Sequence, residues 1–459
     1  MKTISVFLFL AVTVSSALAQ GGESLNAIIE RALVIHPRVL EAKAALAGEL
    51  ARRGETLSPY RPMLSLNGYF IGGDGSMVFA SSVKPINWAH TQRDGVAIGN
   101  VMLMWRVWTG GRDATARDLS AVRIAAARHI LTTVEQDVAL GVRLSYSEYD
   151  YRKGLLESEK ANAKAAQETE RNAAQREAAG KAPKAFVLRA AAEARKAERQ
   201  VAVAGASAET ALAKLVEAAG GHADVKDTSL QMDLEGPQSL ADALVRSGQR
   251  TELAFFETMA KAQGLEAKMV RQSLRPEVSF MAMGSVLGSS FMDTGSKAKF
   301  GLVVSFPLAD GGLRRARAKK FDANAERFMA QMEQMRLTVR REVESAWAEW
   351  ESSDAVLESS LAGLESAVES YDVEKLRFDN GKSILAELLD AQSMLSEARA
   401  EVLSAMRYRD AAWSKLMRAM GEPPEVLMSL QLAEGSWQRG GLGSDKPEPP
   451  NSWLKSSPH

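Results

Sequence analysis

The chain has 459 residues, enough for two or three ordinary domains, and its 57 basic and 57 acidic side chains leave no formal net charge. That balance gives no support to nucleic-acid binding, which needs a basic face. The absence of cysteine excludes disulfides, thiolate metal sites, a cysteine nucleophile and a lipid anchor on an N-terminal cysteine.

The N-terminus reads as a secretory signal, with Lys2 as the basic region, an apolar stretch from Ile4 to Val14, and an A-x-A site at Ala17-Leu18-Ala19. Residues 1–19 are therefore expected to be removed, leaving Gln20 first. No later apolar run reaches the length of a transmembrane helix, so membrane contact must be through β-strands or by surface binding. A helix opens at Ser24 with apolar residues at Leu25, Ile28, Ile29, Ala32 and Leu33, is open to a break at His36-Pro37, and continues to about Thr56. Strands are expected over about 63–71 and 95–109, separated by a long loop that begins at Gly72-Gly73-Asp74-Gly75. In the second of them Val101, Leu103, Trp105 and Val107 share one face, and Asn100, Met102 and Arg106 the other.

The plan then repeats. Ser239 opens a helix expected to run to Arg275-Pro276, followed by strands over about 277–284 and 299–308. Both second strands lead into Gly-Gly, at Gly110-Gly111 and Gly311-Gly312. The spans Gly111–Gly180 and Gly312–Gly381 are equal, and both end in Arg-x-x-x-Gly-Lys, Arg176–Lys181 and Arg377–Lys382. As helices they would each be roughly 100 Å long. The chain is thus a duplication, with repeats at 20–220 and 221–421. The hairpin loops differ in length, which is thermodynamically cheap, whereas the rods do not differ. Alanines cluster in the rods (Ala161, Ala163, Ala165, Ala166, Ala173, Ala174 and Ala190–Ala192), favouring both helix and close helix approach. The tail, 422–459, is rich in Pro, Gly and Ser and is expected to be loosely ordered. Four strands cannot close a barrel in lipid, because open edges leave backbone groups unpaired, whereas three copies would supply twelve.

The run Tyr371…Arg377-Phe378-Asp379-Asn380-Gly381-Lys382, followed by Leu389-Asp390-Ala391-Gln392, resembles the second-repeat signature of the TolC family of outer-membrane export ducts. Val303–Leu308 with Gly311-Gly312 is similar to that family's fourth strand and its turn into helix. The resemblance spans Leu25 to about Met420. It implies a mostly α fold with a small membrane β-barrel: a homotrimer whose twelve-stranded barrel in outer-membrane lipid continues as a long α-helical barrel into the periplasm. It also implies a passive duct for efflux or type I secretion, closed at its periplasmic end. The implied partners are a periplasmic adaptor (membrane fusion) protein and an inner-membrane transporter of RND or ABC type.

Glu387 and Asp390, three residues apart, fall on one helix face, away from Leu385, Leu388, Gln392 and Leu395. The resemblance places acidic residues at these two positions around the periplasmic constriction, where a ring of carboxylates favours cation binding or raised pKa values. A solvated outer face is the plainer alternative. The family's latch also uses a Tyr, an Arg and an Asp, and the chain has Phe378, Ser383 and Phe186 there. Phe186 and Phe378 fit equally an apolar constriction that closes by dewetting and ordinary helix packing. Gly180-Lys181 and Gly381-Lys382 mark the helix-turn-helix tips. Glycine there suffices as a helix stop, and the resemblance adds adaptor docking, with Arg176 and Arg377 nearby.

Tyr60, Tyr69, Trp105 and Trp108 flank the strands, as interfacial aromatics or packing residues. The five histidines are scattered without metal-ligand spacing, and Gly72–Gly75 lacks the Lys-Ser/Thr of a phosphate loop. No catalytic role, cofactor or metal is expected. The rival reading is a periplasmic coiled-coil scaffold or adaptor that never spans a membrane.

Overall fold

The computed structural model describes residues 23–71, 96–225, 234, 236–288 and 294–428. The expected signal peptide, the loop from Gly72 and most of the C-terminal tail lie outside the described residues.

Helix α1 (Leu25–Ile35) starts at Ser24, whose hydroxyl accepts from the Ala27 backbone N–H at 3.4 Å. It stops at His36, and Pro37 is the first residue of α2 (Pro37–Leu57), so the expected break is real. Strands β1 (Met63–Ile71) and β2 (Val96–Trp108) follow. Helix α3 (Arg112–Ala178) is the first rod, and α4 (Lys184–Ala218) returns from its tip. The second repeat runs α5 (Leu240–Ser247), α6 (Thr251–Gln272), β3 (Glu277–Gly288), β4 (Thr294–Ser305), α7 (Leu313–Asp379) and α8 (Leu385–Met420). The two rods are of equal length, 67 residues each.

Four boundaries differ from expectation, the first being β3, which pairs with β4 past its expected end at 284 as far as Gly288. The helix expected from Ser239 to Arg275 is two helices, interrupted at Gly248–Arg250. There Gly248 ends α5, and the Arg250 guanidinium pairs with Glu252 at 2.7 Å and Glu342 at 2.6 Å. Strand β4 begins at Thr294 and ends at Ser305, earlier than expected at both ends. Thr294 is already paired with Gly288, and Pro307 offers no N–H to extend the ladder. The tail is not loose from residue 422, because α9 (Pro424–Met428) packs Leu427 at 2% exposure.

The chain divides into two compact units that cut across the repeats, because each rod passes through both: 1–37, 136–238 and 345–459 form one, 38–135 and 239–344 the other. The second unit carries a four-stranded antiparallel sheet in the order β1-β2-β3-β4. Its register sorts the side chains. Leu64, Leu66, Val101, Leu103, Trp105, Phe280, Phe300, Leu302 and Val304 share one face, and Phe300 and Leu302 stand 83% and 68% exposed. The other face carries Ser65, Asn67, Asn100, Arg106 and Ser279, and Asn67 Nδ2 donates to Asn100 Oδ1 at 3.1 Å. A bulge between Arg106 and Trp108 adds twist where β2 leaves the sheet. Arg106 and Arg112 both pair with Glu277 at this end. No described helix is long and apolar enough to cross a membrane.

In the first unit the buried stripe of α4 is almost all alanine (Ala190, Ala194, Ala197, Ala204, Ala208, Ala211, then Leu215), which lets neighbouring helices approach closely. Its core includes fully buried Arg143 of α3. That guanidinium donates to Asp410 of α8 at 2.5 Å and to the Leu427 carbonyl of α9 at 2.8 Å, and lies 4.6 Å from the Trp413 ring.

Candidate functional site

The two tips are built alike. Gly180 and Gly381 have φ of 72° and 70°, a left-handed conformation that suits glycine. In each tip the following lysine donates its backbone N–H to the arginine carbonyl five residues back, Lys181 to Arg176 and Lys382 to Arg377, both at 2.8 Å. This is a Schellman closure that satisfies the last helical carbonyls. Lys181 and Lys382 are left exposed.

The arginines then diverge. Arg377 pairs with Glu374 one turn earlier at 2.6 Å. Arg176 reaches the other hairpin: its guanidinium lies 4.5 Å from the Phe378 ring, donates to the Phe378 carbonyl at 3.3 Å, and is 3.5 Å from Asp379. Phe378 is 4% exposed and stacks on Phe186, centroids 5.9 Å apart and planes 8° apart. Ala173, Ala190, Leu385 and Leu388 complete the cluster, so all four helices contribute. Within one chain these two rings are packing partners that join the hairpins.

Helix α8 starts at Leu385 with Leu385, Leu388, Gln392 and Leu395 buried, while Glu387 and Asp390 stand exposed. Glu387 lies in the first turn, where the helix dipole favours a negative charge. The hydroxyl of Ser383 is 2.5 Å from Glu387 Oε2 and 2.8 Å from Glu374 Oε2, so it ties the start of α8 to the end of α7. Within the single chain Glu387 is held by its own neighbours, apart from any ring of carboxylates. Its pKa is lowered, first by the Ser383 hydrogen bond and then by the Ile384 backbone N–H and the Arg377 charge.

Glu374 was not among the expected site residues. It lies nine residues before Ser383, across a turn, a spacing that helical periodicity does not register. A second feature is Gln392, whose amide donates to the Asn162 side chain at 2.8 Å. It borders an open pocket between α3, α4 and α8 lined also by Glu159, Glu193, Lys196 and Glu397. Among the described residues no group of His, Cys, Asp or Glu could hold a metal ion.

Residues 248–422 match the model of a family described as outer membrane efflux protein. No curated protein matches the chain in sequence. Solved structures do match its fold. The outer membrane protein VceC of Vibrio cholerae has a TM-score of 0.71 at 16% identity, covering 87% of this chain and 96% of its own. The MtrE outer membrane channel of Neisseria gonorrhoeae, in an open state, has a TM-score of 0.73 at 16% identity, covering 88% and 90%. The CmeC outer membrane channel of Campylobacter jejuni has a TM-score of 0.72 at 14% identity, covering 87% and 86%. Residues 248–422, most of the second repeat, are thus similar to the outer membrane efflux protein family, and the fold of the chain is that of TolC-like outer-membrane channels.

Proposed function

We propose that the protein is the outer-membrane duct of a tripartite efflux or type I secretion assembly. It is a passive homotrimer, held closed at its periplasmic end until an adaptor and an inner-membrane pump dock. The observation that carries this reading is a four-stranded sheet with one apolar face and two outer strands, β1 and β4, each paired on one side only among the described residues. Hydrocarbon tolerates no unpaired strand edge. Joining β1 of one copy to β4 of the next in three copies closes twelve strands, an even-numbered barrel.

The tips carry the second part of the proposal. Exposed Glu387 and Asp390, repeated in three chains, form the ring that narrows the periplasmic mouth. Phe186 and Phe378 hold the hairpins together behind that ring, and Arg176 fastens the joint. Exposed Lys181 and Lys382, on turns set by Gly180 and Gly381 with Arg377 beside the second, form the adaptor's landing surface.

The test is single-channel conductance of the purified protein in planar bilayers, with a divalent cation titrated on the periplasmic side. Small, stable openings that the cation blocks are expected. A well-folded protein that never inserts, and that migrates without a heat-modifiable trimer, returns the reading to a periplasmic scaffold.

A further inference from the structure

The polar face of the sheet holds five methionines in adjoining positions. Met63 pairs with Met104, and Met104 with Met281, in one row; Met102 pairs with Met283 in the next. Side chains alternate along a strand, so all five lie on the face of Asn67, Asn100 and Arg106. Directly opposed Cβ atoms are about 5 Å apart, and next neighbours along a strand about 7 Å. Met102, Met104, Met281 and Met283 therefore stand at the corners of a small square, with Met63 beside it. Three rotatable bonds let each thioether swing toward a common point.

Apolar filling does not account for this placement. The opposite face, with its leucines, valines, phenylalanines and Trp105, contains no methionine among the residues that the register assigns to it. The described chain leaves Met63 and Met104 exposed and Met102, Met281 and Met283 half-buried. Met63 and Met104 are 56% and 39% exposed, and a Cβ built at Gly301, the partner of Met281, would meet nothing within 4 Å.

We propose that these methionines form a thioether site for a soft monovalent metal ion, of the Cu(I) or Ag(I) class. Thioether sulfur is a neutral, soft donor that selects such ions over hard ones. The charges nearby weigh more heavily against a divalent ion than against a monovalent one. The one carboxylate in the paired strands is Glu277, which Arg106 and Arg112 already engage, while Lys299 stands opposite Met283. Nothing there balances a divalent charge. With no cysteine in the chain, thioethers are its only sulfur ligands. That this face lines the lumen rests on the duct proposed above; the binding itself does not.

The experiment is anaerobic titration of the detergent-purified protein with Ag(I) or Cu(I) against a competing chelator, with X-ray absorption of the bound metal. The expected result is a sulfur-only coordination shell, and at least tenfold weaker competition by Met104→Leu/Met281→Leu. Met102→Leu/Met283→Leu is a second variant with the same expectation. Leucine keeps the volume, so both should retain the trimer band. Met329→Leu/Met394→Leu, in exposed helical positions, should change nothing. A wild-type protein without a sulfur shell overturns the proposal, whatever the variants do. So does binding that follows Met329 and Met394. Metal binding without conductance keeps the site and removes the duct, and conductance without binding does the reverse.

Discussion

One hydroxyl hydrogen at Ser383 serves two carboxylates, Glu374 and Glu387, at 2.8 and 2.5 Å. Arg377 compensates Glu374, which leaves Glu387 as the group that gains most from Ser383. A depressed folded-state pKa contributes stability that is present above the ordinary carboxylate value and lost as pH falls through the depressed one. Glu387 is exposed, so the consequence to seek is its charge at the channel mouth. Cation block should persist as the solution is acidified through about pH 4.3, the usual glutamate range, and disappear only below it. In Ser383→Ala the midpoint of that loss should move to higher pH, read from block at a series of pH values; an unmoved midpoint would separate Ser383 from the gate. Glu387→Ala/Asp390→Ala should weaken divalent block by about tenfold, the effect of roughly 1.4 kcal/mol, while leaving conductance measurable. Unchanged block in that double variant moves the constriction elsewhere.

Among the helices, the joint that fixes the C-terminal end of the second repeat is Arg143. It crosses from α3 to Asp410 on α8 and to the Leu427 carbonyl on α9, and Gln136 one turn pair earlier donates to the Gly421 and Glu422 carbonyls at 3.0 and 3.1 Å. Arg143→Met strands Asp410 in the interior and should cost about 3–5 kcal/mol, seen as faster amide exchange in α8 and α9. Arg143→Met/Asp410→Leu should recover most of that loss, and equal damage in both variants would assign the effect to packing on Trp413. None of this was legible in the sequence, where the tail's composition outweighed the short apolar run Val426-Leu427-Met428. The rods were legible, because equal spans between Gly-Gly and Arg-x-x-x-Gly-Lys survive without knowing any contact. So was the exposed face of Glu387 and Asp390, which follows from helical spacing alone. The break at Gly248–Arg250 was hidden because helix formers lie on both sides and a single glycine is tolerated inside a helix. The start of β4 was hidden because Thr294-Gly295-Ser296-Lys297 has no apolar alternation, and pairing with β3 places it. The methionine square needed the register, since alternation groups residues within a strand but not across strands.

At the scale of the whole molecule, the proposed trimer depends on the sheet's two outer strands. Among the described residues each of β1 and β4 is paired on one side only, and a row of free backbone donors and acceptors is a template for another copy of the chain. Closure by three copies makes β1 and β4 neighbours between chains, whereas β2 and β3 stay neighbours within a chain. The chain has no cysteine, so introduced pairs report without background. A cysteine scan of β1, from Leu64 to Gly68, against β4, from Phe300 to Val304, should give covalent dimers and trimers at directly opposed pairs under mild oxidation. Opposed Cα atoms in an antiparallel pair lie about 4.5–5.5 Å apart, within the usual reach of a disulfide. Cysteines at Leu103 and Ala282, opposed within the chain, should give only intramolecular bonds. If the β1–β4 scan yields monomers alone while the Leu103–Ala282 pair closes, the edges do not meet and the barrel is not built this way. Ladders that extend past trimer would instead mean that the edges meet without closing, which lipid does not permit. The trimer as end point is therefore the sharper half of the prediction, because any edge-to-edge contact gives dimers and only closure stops the series.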